Sequence, residues 1–492
     1  MRVAFLSPLP PARSGIAHYA SMLLPALRRK IDVTAFGSLD GYRAADFDLA
    51  VYQLGNNPHH EFVYAEAMRR PGVIVLHDFV LHHLIVEMTL ARGDVEGYVA
   101  ALEASHGQAG AAWARGRAAG LHGEIGNFLL PASVDVARRS RAVIVHNRWA
   151  ADRLRSFGVE TPLFVVPHPF EPEPDVHDRE AIRASLGVAP AERVAGLFGF
   201  LTSAKRAEVV VEAFRMARRQ DPSLRLLIVG EPAPNIDLRA IEGEGVIVTG
   251  YASDADFGRY YAAADRLVNL RYPSAGETSG TLIRAFAAGK PVAVSDYAQF
   301  AEYPDSCVTK IPLGEGEAEK LSDFFLQDID VAGTARAQRE WLESNATIEM
   351  TVEGYLAALT QPVPAAAVAR PAVPQPGEGT ALPLFPSLTL AGVVFRDEVA
   401  VLTLRNDGSA TVRARVYGQP GYRAVVKLFD GEREIADHWL DLAADVLPGG
   451  ATEIRVPLGS SDRALTLRLY HALERVPLVS PAPAGEVEVR RV

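Results

Sequence analysis

Cysteine is almost absent: the 492-residue chain contains one, Cys307. A lone thiol closes no internal disulfide and builds no thiolate metal cluster, so the composition fits a reducing compartment. There is no dense block of Lys and Arg either. Fifty basic residues against 60 acidic ones give a formal net charge of −10, which leaves no electrostatic footprint for nucleic acid. No apolar run reaches the ~20 residues that a bilayer crossing needs. The opening MRVAFLSPLPPARSG has one Arg before a short apolar run that meets prolines, so it reads as a first strand rather than a secretory signal. These absences point to a cytoplasmic protein, at most resting peripherally on the inner face of a membrane.

What is present is length and periodicity. A chain of 492 residues exceeds what one core supports, and three compact units are expected, two of them sharing a cleft. Up to about Leu359, short β-branched runs alternate with Ala/Leu/Arg-rich helical patterns. RVAFLS (Arg2 to Ser7), DLAVYQL (Asp48 to Leu54), GVIVLH (Gly72 to His77), AVIVHN (Ala142 to Asn147) and LFVVPH (Leu163 to His168) read as buried parallel strands. After a break at HPFEPEPDVHDRE a second series follows: VAGLFGF, LRLLIVG, GVIVTG, RLVNLR and PVAVSD. This predicts two α/β domains, 1–172 and 173–360, with a ligand crevice at the carboxyl ends of their strands. The Pro/Ala-rich stretch 361–382 reads as a semi-stiff tether. Beyond it, residues 383–492 alternate apolar and polar positions between Asn-Asp-Gly, Asp-Gly and Pro-Gly-Gly turns, the pattern of an antiparallel β-sandwich.

Four stretches carry chemistry. In RYPSAGETSGTLIRAFAAGKPVAVSD, Gly276, Glu277, Thr278, Ser279 and Gly280 form a loop after a strand and before a helix that starts near Thr281. Backbone N–H groups at a helix N-terminus are unsatisfied donors at the positive end of the dipole, and glycines let a phosphate approach them; the same residues also suit a plain N-cap. GFLTSAKRAEVVVEAF places Lys205 beyond the first strand of the second domain, either against a diphosphate or in solvent. PLPPARSGIAHYA puts Gly15 at the start of a helix after the first strand of the chain, as a phosphate or sugar loop or as a simple turn. VIVLHDFVLHH sets His77 at a strand end aimed into the crevice, as a contact to a sugar hydroxyl or leaving-group phosphate or as a core histidine. Asp78, His82 and His83 lie nearby but lack a further placed carboxylate or thiolate, so no metal is expected. Asp254 and Asp256 sit at a helix start and read as caps.

In this order and spacing, PPARSGIAHY, VIVLHDF, VVPHPF, GFLTSAKRAEVVVEAF, LRLLIVGE and IRAFAAGKPVAVSD resemble the retaining GT-B glycosyltransferases of family 4 over residues 1 to about 359. The resemblance implies two Rossmann-like domains facing a cleft, with the acceptor on the first and a nucleotide-diphosphate-sugar on the second. A final helix in WLESNATIEMTVEGYLAAL would cross back onto the first domain. It implies Lys205 on the diphosphate, Gly15 near the donor phosphates, and His77 and Glu277 on the transferred sugar, with no metal and no other cofactor. The acceptor would be a glycan or a lipid-linked acceptor.

Two positions depart from the family pattern. Phe200 stands where the family has an Arg, so a diphosphate charge is missing unless Arg206 or Arg284 replaces it. In the family's E-x7-E motif Glu277 is the first glutamate; the second, which usually holds the ribose, falls on Arg284, the loop containing Glu277 is one residue shorter, and Glu302 matches another acidic position near the nucleotide. The C-terminal region resembles Ig-like modules appended to polysaccharide-assembly enzymes. A nucleotide-sugar epimerase or phosphorylase of the same fold, and a non-catalytic sugar-binding protein, are the competing readings.

Overall fold

The computed structural model of the chain describes all residues except 13, 122–123, 171, 173–177, 234–235, 237, 362–387, 397–398, 408–411, 413–421, 431–432, 443–445, 448, 459–464, 474–484 and 490–492. The tether expected at 361–382 therefore lies, after Gln361, outside the described residues. The chain divides into two compact units, Met1–Arg92 with Pro131–Pro371, and Gly93–Leu130 with Ala372–Val492.

The first unit opens with β1 (Arg2–Leu6), α1 (Gly15–Arg28), β2 (Asp32–Phe36), β3 (Leu49–Leu54), α2 (Glu61–Arg69), β4 (Val73–Leu76) and α3 (His82–Met88). Two helices of the second unit, α4 (Val95–Ala118) and α5 (Glu124–Leu129), interrupt it, and it resumes with α6 (Val134–Arg139), β5 (Ala142–Val145), α7 (Arg148–Ser156) and β6 (Leu163–Val165). Its second half runs α8 (Arg179–Ser185), β7 (Arg193–Phe198), α9 (Ala207–Gln220), β8 (Leu224–Val229), α10 (Leu238–Ile241), β9 (Val246–Val248), α11 (Asp254–Ala263) and β10 (Arg266–Asn269). It closes with α12 (Gly280–Ala287), β11 (Val292–Ser295), β12 (Thr309–Ile311), α13 (Glu317–Leu326), α14 (Val331–Asn345) and α15 (Ile348–Thr360).

Two six-stranded sheets result, in the orders β2-β1-β3-β4-β5-β6 and β12-β11-β10-β7-β8-β9, every neighbouring pair parallel. Helices cover both faces, which is why the inner strands read as unbroken apolar runs: Val3 to Leu6, Val73 to Leu76 and Ala142 to Val145 are all buried. The sequence reading missed β2 and β12. Both are sheet edges, and their segments DVTAF and TKI mix polar and apolar residues because one side meets no further strand.

The strand orders fix where a ligand can sit. In the second sheet the chain winds outward from β7 in one direction and from β10 in the other, so the crevice lies beyond the carboxyl ends of these two strands. In the first sheet the switch falls between β1 and β3. The expected crossing is present: Leu342 of α14 and Ala346 just past it pack in the core of the second sheet, whereas Val352, Tyr355, Ala358 and Leu359 of α15 pack with Val3, Phe5, Tyr19 and Leu23 on the first. Burying a large apolar side chain contributes roughly 1.5–3 kcal/mol, so this face of α15 is a substantial clamp.

In the second unit, β13 (Leu388–Arg396), β14 (Val399–Asn406) and β17 (Ala451–Pro457) form one antiparallel sheet, and β16 (Arg433–Asp441), β15 (Tyr422–Asp430), β18 (Leu465–Leu473) and β19 (Gly485–Val489) another. Ala400, Leu402 and Leu404 alternate inward and join Val426, Leu428, Ile454, Val456 and Leu469 in one core shared by both sheets.

Candidate functional site

A cavity of about 1070 Å³ opens where the two switch points of the first unit face each other. Its floor on the second sheet begins at Gly199, just past β7. This residue has φ +90°, and a Cβ would sit 2.5 Å from Lys205 Nζ, so only glycine lets the lysine fold back over the strand end. Lys205 is 6% exposed and donates to the Phe198 carbonyl. It is thus a buried cation rather than a solvated one. Burial, and then the Arg271 charge, hold its ammonium well below the usual lysine range, while Glu277 acts in the opposite direction.

The loop after β10 supplies the opposing charges. Arg271, 8% exposed, donates from Nε to Glu277 Oε1 at 3.0 Å and from Nη1 to the Leu270 carbonyl at 2.8 Å. Ser274 Oγ reaches the other carboxylate oxygen of Glu277 at 3.3 Å, and the Gln299 amide donates to Ser274 Oγ and to the Glu277 carbonyl. Gly276 (φ +78°) presses this loop against the first half of the unit, where a Cβ would meet Phe79 at 2.6 Å and Trp149 at 2.8 Å. Asn147 Nδ2 donates to the Gly276 carbonyl at 2.9 Å, and Val80 N–H to that of Ala275.

Helix α12 then starts with its N-terminus on the cavity, lined by Thr278, Ser279, Gly280 and Thr281. Ser279 accepts the Leu282 N–H, so the expected cap is real. The hydroxyls of Ser279 and Thr281 are also 2.9 and 3.0 Å from Asn269 Oδ1, while Asn269 Nδ2 is buried with no partner among the described residues. The hydroxyl protons of Ser279 and Thr281 are therefore spent on Asn269, and the donors that the α12 N-terminus offers the cavity are its backbone N–H groups.

On the first sheet, Gly15 begins α1 behind its Ser14 cap, lines the cavity, and has no atom within 4 Å of where a Cβ would lie. The space above it is open to a ligand. His77, at the end of β4, has both ring nitrogens occupied: Nε2 is 2.7 Å from Gln53 Oε1 and Nδ1 is 3.2 Å from His146 Nε2. His146 Nδ1 in turn faces the Val166 carbonyl at 2.9 Å, and the Gln53 amide also meets the Tyr355 hydroxyl, which receives that of Tyr19 at 3.0 Å.

Burial is the first cause that pushes His77 well below the usual histidine range, His146 down to about 3 and His168 down to about 4; neighbouring histidines add to it. All three are neutral near pH 7. A neutral His146 that donates to Val166 must accept at Nε2, so His77 donates from Nδ1, and its bare Nε2 then requires the Gln53 amide to rotate so that the nitrogen replaces the Oε1 that faces it. A ligand hydroxyl reaches either nitrogen of His77 only by displacing a protein group. Beside it, Asp78 lines the cavity and accepts the Asn56 N–H at 2.8 Å; burial and then Glu277 raise its carboxyl to about 7.

The cavity therefore brings together Gly15, His77, Phe200, Lys205, Glu277, Thr278, Ser279, Gly280 and Arg284. Three predicted residues do not reach its wall. Arg206 spends its guanidinium on the buried Glu317 carboxylate, donating from Nε at 2.8 Å. Gly276 lies under Phe79 and Trp149. Glu302 accepts the N–H groups of Arg148 and Trp149 in the first turn of α7, so its carboxylate is committed to a helix N-terminus rather than standing open for a ribose. Asp256 does close a helix start, exchanging hydrogen bonds with the Ser253 cap. Sequence reasoning missed Arg271, Asn269, Gln53 and His146. Arg271 was the most legible of these, as a charge ending an apolar strand at the switch point.

Residues 192–327 match the family of glycosyl transferases group 1. Among curated proteins, the D-inositol 3-phosphate glycosyltransferase of Segniliparus rotundus is 31% identical over 129 residues, 23% of this chain and 27% of that protein. The chain spans only 27% to 36% of the length of the curated relatives it matches. Among solved structures, sucrose-phosphate synthase of Thermosynechococcus elongatus superposes with a TM-score of 0.51 at 18% identity over 73% of this chain and 98% of that one. Anabaena HepE, solved with UDP and glucose, gives 0.50 at 16% identity over 73% and 99%. Residues 192–327 are thus similar to a glycosyl transferases group 1 domain, and they form the second half of a GT-B fold.

Proposed function

We propose that this chain transfers a sugar from a nucleotide-diphosphate-sugar to a hydroxyl of a glycan or lipid-linked acceptor, with retention at the anomeric carbon and without a metal. The observation that carries this reading is the convergence of Lys205, the α12 N-terminus and the Thr278 hydroxyl on one side of a cavity whose other side is the first sheet. Donors fixed in place before reaction stabilise the negative charge that develops on a departing diphosphate, and no reorganisation is needed as it forms. Glu277, held at both oxygens, is placed to receive hydroxyls of the transferred sugar. The acceptor hydroxyl would enter from the Gly15 and Asp78 side and attack on the face the diphosphate leaves, giving its proton to the leaving phosphate.

Unfolding temperatures measured with UDP-, GDP- and ADP-sugars, followed by donor hydrolysis and transfer to small acceptors, test this. A bound donor raises stability by RT ln(1 + [L]/Kd). Change of the sugar without any acceptor would identify an epimerase instead, and the absence of stabilisation by every donor would overturn the reading.

A further inference from the structure

Three ionisable side chains meet at the strand ends of β7 and β10. Lys205 and Arg271 are 6% and 8% exposed, and Glu277 is the carboxylate that faces both. Two buried basic side chains crowd against one carboxylate in a place where hydration is poor, an arrangement that a bound anion relieves. Arg271 is also held in a pose that leaves one arm over. Nε is fixed by Glu277 and Nη1 by the Leu270 carbonyl, whereas Nη2 makes no hydrogen bond among the described residues, and the side chain lines the cavity. A guanidinium already immobilised at two nitrogens loses little freedom when the third nitrogen takes a phosphate oxygen.

The other candidates fit less well. Arg206 is consumed by Glu317, and Arg284 places its guanidinium 5.8 Å from the centre of the Phe257 ring, one turn into α12. Phe200, 55% exposed, brings no charge at all.

We infer that Arg271 is the second cationic contact to the donor diphosphate, acting with Lys205 and taking the place that Phe200 leaves uncharged. This rests on the glycosyltransferase reading above. It also joins two parts of the donor: the guanidinium that receives the diphosphate orients Glu277, which receives the sugar.

Inorganic pyrophosphate tests the inference independently of the unknown base and sugar, by calorimetric titration of the full chain. Arg271→Gln should weaken binding roughly 10- to 100-fold, as for the loss of one hydrogen bond to a charged group. Arg271→Lys should fall in between, since it keeps the charge and loses the fork. Arg259→Gln, at an exposed ion pair on α11, should bind as wild type does. Glu277→Gln removes the competing carboxylate without removing the cation, so pyrophosphate should then bind more tightly. This second variant decides the matter if Arg271→Gln fails to fold. A folded Arg271→Gln protein with wild-type affinity, or a Glu277→Gln protein that binds no better than wild type, overturns the inference and leaves Arg271 as a support for Glu277 alone. If wild type binds neither pyrophosphate nor UDP, GDP or ADP, the glycosyltransferase reading fails and the inference falls with it.

Discussion

The histidines beneath the cavity should make the first unit lose stability under mild acid. His60, His146 and His168 are buried and neutral, with values pushed down to about 4, about 3 and about 4, against an ordinary 6.5 in the unfolded chain. A histidine whose folded value is depressed contributes its full stability above pH 6.5 and loses it as pH falls toward the folded value, because the unfolded state binds more protons in that window. From pH 6.5 to 5 the linkage amounts to about 1.6 kcal/mol for each histidine, or about 5 kcal/mol for the three. Asp78 acts with the opposite sign. Its carboxyl is raised to about 7, so the folded state takes up the proton first and gains about 2 kcal/mol over the same interval. The paired carboxylates of Glu61, Glu192, Asp221 and Asp265 are lowered, and their losses begin only below this window.

The net of these four groups is a loss of about 3 kcal/mol, a large share of the 5–15 kcal/mol that holds a typical domain, and His77, also depressed, adds to it in the same direction. Urea unfolding followed at pH 6.5, 6, 5.5 and 5 measures it. His60→Asn keeps a donor for the Gln53 carbonyl that His60 Nδ1 faces at 2.8 Å but does not titrate, so it should reduce the loss by about 1.6 kcal/mol. A stability that stays level or rises between pH 6.5 and 5, or a His60→Asn profile parallel to wild type, would refute the assignment of these histidines as buried and neutral.

Other expectations follow from single residues. Lys205→Ala should lower transfer on the order of 10²-fold, the typical loss of one oxyanion-stabilising donor, while its unfolding temperature stays level or rises because a buried cation has been removed; kinetics and a thermal melt on the same sample check both. Tyr355→Phe removes the hydroxyl that Tyr19 and Gln53 share and should cost about 1–3 kcal/mol by leaving buried polar groups short of a partner, readable as a shift in the urea midpoint without a change in slope. Transfer should survive excess EDTA, since no group of three or more His, Cys, Asp or Glu residues able to hold a metal occurs among the described residues; loss of activity restored by Mg²⁺ or Mn²⁺ would refute this.

The fold and the outline of the site were legible because they are written in local sequence. Continuous apolar runs such as VIVL and AVIV specify strands buried on both faces. Ser279 with Gly280 marks a helix start, and Asn406 with Asp407 marks the end of β14. Each signal spans a few residues, so the sequence by itself determined the α/β and β regions, the glycine loops and the cation beyond β7.

Tertiary structure alone decided how those groups are used. Burial of Lys205, capture of Glu302 by the α7 N-terminus and of Arg206 by Glu317, and the Gln53 to Tyr355 contact across 302 positions all depend on which elements strand order and crossing helix bring side by side. The same carboxylate or guanidinium binds a ligand or a helix end according to the neighbour that reaches it first, because each charge has few lone pairs or N–H groups to give. That competition is settled by three-dimensional proximity, which no short stretch of sequence encodes.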